Sequence, residues 1–362
     1  MDVPKYSVLK LNKALYGMKQ ASRCWWLHLQ VILQCIGFKN NEEDLNTYTL
    51  NQGNDQAILW IHVDDRVLTA SSTKLMGRIM ERLNSFLKIK WDTNLNGLVG
   101  ISIKETEEGF KLYQPDLIDK LTNLTPHKIV AKTPLPLNCQ LESNYLAGNM
   151  DKPFLKGIGI LLYIAQACRP DISFAVNYLA RFSLNTYQSH WKALEHLIAY
   201  LQGTWDMGIL INKSNNSSQL KCFIDANWGG EGNRSTHGPN PVGWQSKRQT
   251  TIASSTAQSE YMALSFSAKE VLWLHHLFVD ILQDPIPILL SDNYTALGIL
   301  TESMNQKKTC HLIREFNMIN EFVATHKLKL DWVSTNKQLA DILTKSLGCI
   351  KNVYFVSQLN HL

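Results

Sequence analysis

An apolar run, Ala57-Ile-Leu-Trp-Ile-His-Val-Asp-Asp-Arg-Val-Leu, is broken at its centre by two adjacent carboxylates, Asp64 and Asp65. β-Branched and aromatic residues on either side of a short polar step read as two strands joined by a tight turn, with the acids at the bend. Side-by-side carboxylates repel and raise each other's pKa unless a cation lies between or beside them. A divalent metal ion is the natural cation. The plainer reading is that the pair is only the polar tip of a hairpin.

Around this hairpin the periodicity predicts helices at 22–36, stopped by Gly37, and at 74–86. On the first, Trp25, Leu29, Ile32 and Ile36 share one face as core. Residues 101–113 read as paired strands turned at Glu108-Gly109, and the proline-bearing stretch from Thr133 to Asn149 reads as a linker. Residues 154–202 are helical, interrupted where Arg169-Pro170-Asp171 starts a new helix with Pro in its first turn.

The last third carries a second set of acids. Leu220 to Ile224 is a strand-like run ending at Asp225, and Ile286 to Leu290 is another ending just before Asp292. Carboxylates at the C-terminal ends of two neighbouring strands would share one edge of a sheet. Ser255-x-x-Gln258 has the capping-box pattern and opens a long helix through Ile281, with Glu260 in its early turns. Residues 329–333 form a further strand, and Gln338-Leu-Ala-Asp341 begins a last helix.

A length of 362 residues predicts two or three domains, and 45% hydrophobic residues supply ample core. Seven cysteines without a Cys-x-x-Cys spacing argue for reduced thiols and against a disulfide framework or zinc site. No apolar leader is visible and the longest apolar stretch, 158–167, is too short to span a bilayer, so the expected compartment is cytoplasmic or nuclear, without membrane association. A net charge of +5 is modest. Locally, Lys13, Lys19 and Arg23 precede the Trp25-Trp26 pair, and Lys247-Arg248 precede a polar stretch. Basic groups beside aromatics neutralise phosphates and stack on bases, though solvated surface charge is the ordinary alternative.

Several strings in order resemble one family. Leu11-Asn-Lys-Ala-Leu-Tyr-Gly-Met-Lys-Gln-Ala-Ser-Arg-Cys-Trp-Trp followed by His62-Val-Asp-Asp65 resembles the reverse transcriptase of copia-type retrotransposon Pol polyproteins. Leu161-Leu-Tyr-Ile-Ala, Arg169-Pro-Asp-Ile and His190-Trp-Lys-Ala-Leu resemble the connection that follows it. Ile224-Asp-Ala-Asn-Trp-Gly, Asn233-Arg-Ser-Thr, Gln245-Ser-Lys-Arg-Gln, Ser255-Thr-Ala-Gln-Ser-Glu-Tyr-Met-Ala-Leu, Ser291-Asp-Asn and Gln338-Leu-Ala-Asp-Ile resemble its ribonuclease H, in which strand-Asp, helix-Glu, strand-Asp and helix-Asp follow in turn.

The resemblance implies an α+β chain. Its parts are a truncated palm and thumb at 1–130, a linker and helical connection at 131–215, an RNase H-like mixed sheet with flanking helices at 216–348, and a tail at 349–362. It implies RNA-templated DNA synthesis at Asp64 and Asp65, and hydrolysis of the RNA strand of RNA–DNA hybrids at Asp225, Glu260, Asp292 and Asp341. Two Mg²⁺ (or Mn²⁺) ions roughly 4 Å apart would serve the hydrolysis, held by hard oxygen ligands. Asp225 would bridge, Glu260 and Asp292 would hold one ion, and Asp341 the other. The implied partners are hybrid or primer-template nucleic acid, with Lys13, Lys19, Arg23, Lys247 and Arg248 as contacts.

Departures from the family matter equally. His62 stands where the family has Tyr, and Ser22 where it has Pro. The family's third polymerase Asp and its fingers fall before residue 1, so half a polymerase site is expected, completed only by an upstream Pol segment or a dimer partner. After Gly238 the family's apolar strand is replaced by Pro239-Asn-Pro. One strand of the nuclease sheet is therefore expected to be missing, leaving unpaired backbone beside the Asp225 strand. A nucleic-acid-binding or decayed chain without turnover is the competing expectation. His311, in Lys307-Lys-Thr-Cys-His, is left outside the catalytic set.

Overall fold

The computed structural model describes residues 11–125, 130–141, 153–213, 219–227, 231–237, 241–249, 256–279, 286–294, 297 and 313–359. Helices and sheets are mixed throughout, and the chain divides into two compact units, Met1–Thr93 and Asn94–Leu362. His311 lies outside the described residues.

In the first unit, helix Ala21–Ile36 buries Leu29, Ile32, Leu33 and Ile36, one stripe at helical spacing. Trp25, expected on that stripe, is instead 43% exposed. Gly37 ends the helix at φ 107°, donating to Leu33 and Gln34 carbonyls at 3.1 and 3.0 Å. Strands Lys39–Asn40, Thr47–Gln52, Asp55–His62 and Asp65–Ala70 then pair antiparallel in sequence order. Ala57 and Leu59 alternate inward with Tyr48 and Leu50. Helix Thr73–Phe86 is capped by the Ser72 hydroxyl, which accepts from Leu75 N–H at 3.3 Å, and contributes Leu75, Ile79 and Leu83 to the same core.

The second unit begins with a four-stranded antiparallel sheet, Gly97–Leu98, Ile101–Glu105, Gly109–Tyr113 and Ile209–Asn212. The last strand returns from nearly a hundred residues on. The compact division therefore falls at Thr93/Asn94 instead of near residue 130: pairing Gly109–Tyr113 with Ile209–Asn212 ties residues 97–113 to the helices in between. Gly109 permits the close approach, since a Cβ there would sit 1.9 Å from the Ile211 carbonyl oxygen.

The helical run is more broken than its periodicity suggests. Helices Phe154–Ala167, Ser173–Ala180 and Gln188–Gly203 are separated by a 3₁₀ turn at Pro170–Ile172 and by irregular backbone at 181–187. At the first break Arg169, fully buried, forks onto Asp171 (Nε to Oδ1 2.9 Å, Nη2 to Oδ2 2.8 Å) and donates to the Thr204 carbonyl at 2.9 Å. Tyr200 donates to Asp171 Oδ2 at 2.8 Å. Every charge taken out of water there has a partner, which such burial requires.

A five-stranded sheet follows. Its spatial order is Pro241–Lys247, Glu231–His237, Lys221–Asn227, Ile288–Ser291 and Lys329–Trp332, the first three antiparallel and the last two added in parallel. The expected gap does not open. The polar string Glu231–His237 itself lies between the Asp225 strand and Pro241–Lys247, because ladder pairing uses backbone groups and places little demand on side-chain polarity. Helix Thr256–Val279 lays Tyr261, Leu264, Ala268 and Val271 against Cys222, Ile224 and Leu289 of the sheet. Ser255 and Ile281 lie outside the described residues.

Two further expectations change. Residues 339–343 form a 3₁₀ turn and not the start of a helix. Helix Cys349–Gln358, expected as tail, packs Phe355 and Val356 with Leu339, Ile342, Leu343, Met207, Phe223 and Trp244. Trp244 Nε1 also donates to the Ala165 carbonyl at 2.7 Å, joining the edge strand to helix Phe154–Ala167.

Candidate active site

Asp225 is the fifth residue of strand Lys221–Asn227, opposite Asn233, so the strand runs two residues past it and does not end there as expected. Glu260 sits in the second turn of helix Thr256–Val279, and Asp292 follows directly on strand Ile288–Ser291. The parallel register brings Ser291 opposite Ile224, which carries Asp292 to the level of Asp225. One carboxylate oxygen from each of Asp225, Glu260 and Asp292 lies within 4.8 Å of the others. Asp225 and Glu260 are buried and Asp292 is half-buried.

Asp341 is brought alongside by the 3₁₀ turn. Gln338 Nε2 donates to the Ile224 carbonyl at 2.8 Å, pinning the turn to the Asp225 strand. Thr344 Oγ1 donates to Asp225 Oδ2 at 2.6 Å. Lys345 Nζ is 2.7 Å from Asp341 Oδ1 and 3.7 Å from Asp225 Oδ2, so one ammonium reaches both carboxylates. Neither Thr344 nor Lys345 was singled out from the sequence. The available signal was their spacing, three and four residues after Asp341 on a turn that folds back.

The electrostatics of this cluster are those of a site short of positive charge. Burial, with Asp225 next and Asp292 adding, pushes the Glu260 carboxyl from 4.5 up to about 9, against a backbone hydrogen bond from Ala226. Burial likewise raises Asp341 to about 6, with Lys345 opposing and Asp225 and Asp292 adding. Burial pulls the Lys345 ammonium down, but Asp225, Asp341 and Asp292 outweigh it and the net shift is upward. Glu260 Oε2 is buried without a hydrogen-bond partner, and neither Asp341 oxygen accepts a well-formed hydrogen bond despite the 2.7 Å ion pair. Orphaned hard oxygens converging from separate elements fit a divalent cation of the Mg²⁺ or Mn²⁺ type.

In the first unit, Val63 and Asp64 form the tip of the Asp55–His62 and Asp65–Ala70 hairpin, with His62 paired to Asp65. Val63 adopts φ 54°, which a β-branched residue rarely does. Asp64 and Asp65 are exposed, and Trp60 stacks on His62 with centroids 5.8 Å apart. Among the described residues, no third His, Cys, Asp or Glu groups with this pair as Glu260 and Asp292 do with Asp225. Lys13, Lys19 and Arg23 are exposed. Lys247 and Arg248, also exposed, lie on the other unit: Lys247 Nζ sits 5.3 Å over the Phe266 ring, and Arg248 is close enough to lower the Arg181 pKa after burial has done most of it. Arg181 extends that basic patch and was not anticipated.

Residues 1–134 match the family described as Reverse transcriptase (RNA-dependent DNA polymerase). Over 96% of its length the chain is 32% and 33% identical to the Retrovirus-related Pol polyproteins from transposons RE2 and RE1 of Arabidopsis thaliana. It spans 24% of each. Over 94% it is 29% identical to the Retrovirus-related Pol polyprotein from transposon TNT 1-94 of Nicotiana tabacum, spanning 27% of it. The chain thus covers about a quarter of these relatives. A foamy viral protease-reverse transcriptase in complex with RNA/DNA hybrid shares the fold at TM-score 0.53 and 12% identity, over 89% of this chain and 39% of that one. The chain thus carries a reverse-transcriptase domain match at one end and is similar along nearly its whole length to Pol polyproteins of copia-type retrotransposons.

Proposed function

We propose that the Asn94–Leu362 unit is a ribonuclease H that hydrolyses the RNA strand of RNA–DNA hybrids with two divalent ions. The observation that carries this reading is the convergence of Asp225, Glu260 and Asp292 within 4.8 Å from two strands and a helix far apart in sequence. Asp225, Glu260 and Asp292 would hold one ion, and Asp225 with Asp341 the other. When bound, such a pair activates water for in-line attack and stabilises the leaving 3′ oxygen. Thr344 fixes the Asp225 carboxylate through Oδ2, and Gln338 holds the Asp341 turn against the same strand. Lys247, Arg248 and Arg181 form a basic patch suited to the phosphate backbone. That a foamy viral enzyme of this fold is seen with RNA/DNA hybrid supports the partner class.

The test is digestion of a labelled RNA–DNA hybrid by the purified full chain. Cleavage should need Mg²⁺ or Mn²⁺, be blocked by Ca²⁺, and vanish in Asp225→Asn, because an amide cannot supply an anionic bridge. Cleavage surviving in Asp225→Asn assigns the activity elsewhere. Folded wild-type chain that binds hybrid but never cuts it supports the binding reading instead.

That second reading applies more directly to the first unit. Asp64 and Asp65 have no third acid grouped with them among the described residues, so this unit, with exposed Lys13, Lys19 and Arg23, is read as holding nucleic acid without extending it. Nucleotidyl transfer needs both ions positioned, and two acids at a hairpin tip leave one under-liganded.

A further inference from the structure

We infer that Lys345 is a resident cation of the acid cluster, its ammonium occupying the edge between Asp225 and Asp341 that the second divalent ion needs. The two ions then bind unequally, one into the open corner of Asp225, Glu260 and Asp292, the other only by displacing Lys345. This rests on the two-ion reading above. Three acids group with one another, whereas the fourth, Asp341, meets an ammonium at 2.7 Å that also lies 3.7 Å from Asp225 Oδ2. Asp225 is the acid common to both corners, and Nζ lies within ion-pair reach of both it and Asp341.

The burial of the partners says why a cation is kept there. Asp341 is 1% exposed and its oxygens have no other hydrogen bond, so without Lys345 an ionised carboxylate would be buried unpaired. The Lys345 side chain, in contrast, is 42% exposed. It enters from the solvent side and can withdraw by rotating its own stem, with no repacking of the core. A divalent ion takes carboxylate oxygens at about 2.0–2.1 Å, inside the contacts that the ammonium makes. Two cations on that one edge would repel at close range, so occupancy by one excludes the other.

Mn²⁺ binding to the full chain, followed by the electron paramagnetic resonance signal of the free ion at pH 7.5, reads this without any turnover. Wild type should show one tighter and one weaker site. Lys345→Met keeps the apolar stem and removes the charge. It should tighten the weaker site by at least about tenfold, the scale set by deleting a unit charge a few ångströms away in a screened site. Lys345→Arg retains the cation and should bind Mn²⁺ like wild type. The metal-free Lys345→Met protein should melt below wild type and recover when Mn²⁺ is added. Should that variant not fold, Lys345→Gln must give the same tightening. An unchanged weaker site in the neutral variants overturns the inference and leaves the two-ion reading standing. No Mn²⁺ bound to wild type overturns both.

Discussion

Replacing Glu260 by Gln tests the physics of the cluster most directly. Burial first, then Asp225 and Asp292, raises this carboxyl from 4.5 to about 9, so the folded metal-free protein holds the proton far more tightly than the unfolded chain does. For a raised carboxyl the stability contribution is intact below the unfolded pKa, near 4.5, and erodes as pH climbs toward 9. By pH 8 the window crossed is about 3.5 units, and ~1.36 kcal/mol per unit sets a ceiling of about 5 kcal/mol. Sharing of charge among the neighbouring acids reduces it, and about 2 kcal/mol is the working floor. Gln mimics the protonated side chain and cannot ionise. Glu260→Gln should therefore match wild type near pH 5 and exceed it at pH 8 by ~2 kcal/mol or more, a Tm gain of at least about 4 °C for a unit of this size. The assay is scanning calorimetry in EDTA from pH 5 to 8.5. Asp341, raised to about 6, contributes to both proteins and cancels in the difference. Added Mg²⁺ should shrink the gap by favouring ionised Glu260. Wild type and variant losing stability in parallel across this range would refute the reasoning.

Arg169→Met strands Asp171 in the core without its forked partner and should cost about 3–5 kcal/mol, read as a lower urea midpoint; the double variant with Asp171→Leu should recover much of that loss. Trp244→Phe removes the bond to the Ala165 carbonyl along with part of the indole's packing on the Phe355 cluster and should cost at least ~1 kcal/mol in the same assay. The full chain should not extend a primer on an RNA template in Mg²⁺, and extension that disappears in Asp65→Asn would sink this prediction.

Much of the fold is local and therefore legible in residues alone. The alternation of Ala57 and Leu59, the polar break at Asp64-Asp65 and the stripe Leu29, Ile32, Leu33, Ile36 each specify an element through side-chain periodicity. The candidate acids were also visible, because a carboxylate beside an apolar strand has few structural uses. Trp25 misled because periodicity marks a stripe without saying how much of its length is covered.

What the sequence by itself determined is where the strongly periodic elements lie and which residues carry charge; only the tertiary structure decided which of them meet. No pattern in Glu231–His237 announces a central strand, since its place comes from backbone pairing with neighbours on both sides. Nor does anything in 109–113 announce a partner at 209–212, which moves the division of the chain to Thr93/Asn94. Lys345 is one lysine among many until the turn at 339–343 folds it over Asp225, 120 residues earlier in the chain. Its meaning, like the raised pKa of Glu260, belongs to charges brought close in a dry place, and Coulomb energy depends on distance and dielectric, neither of which is written along the chain.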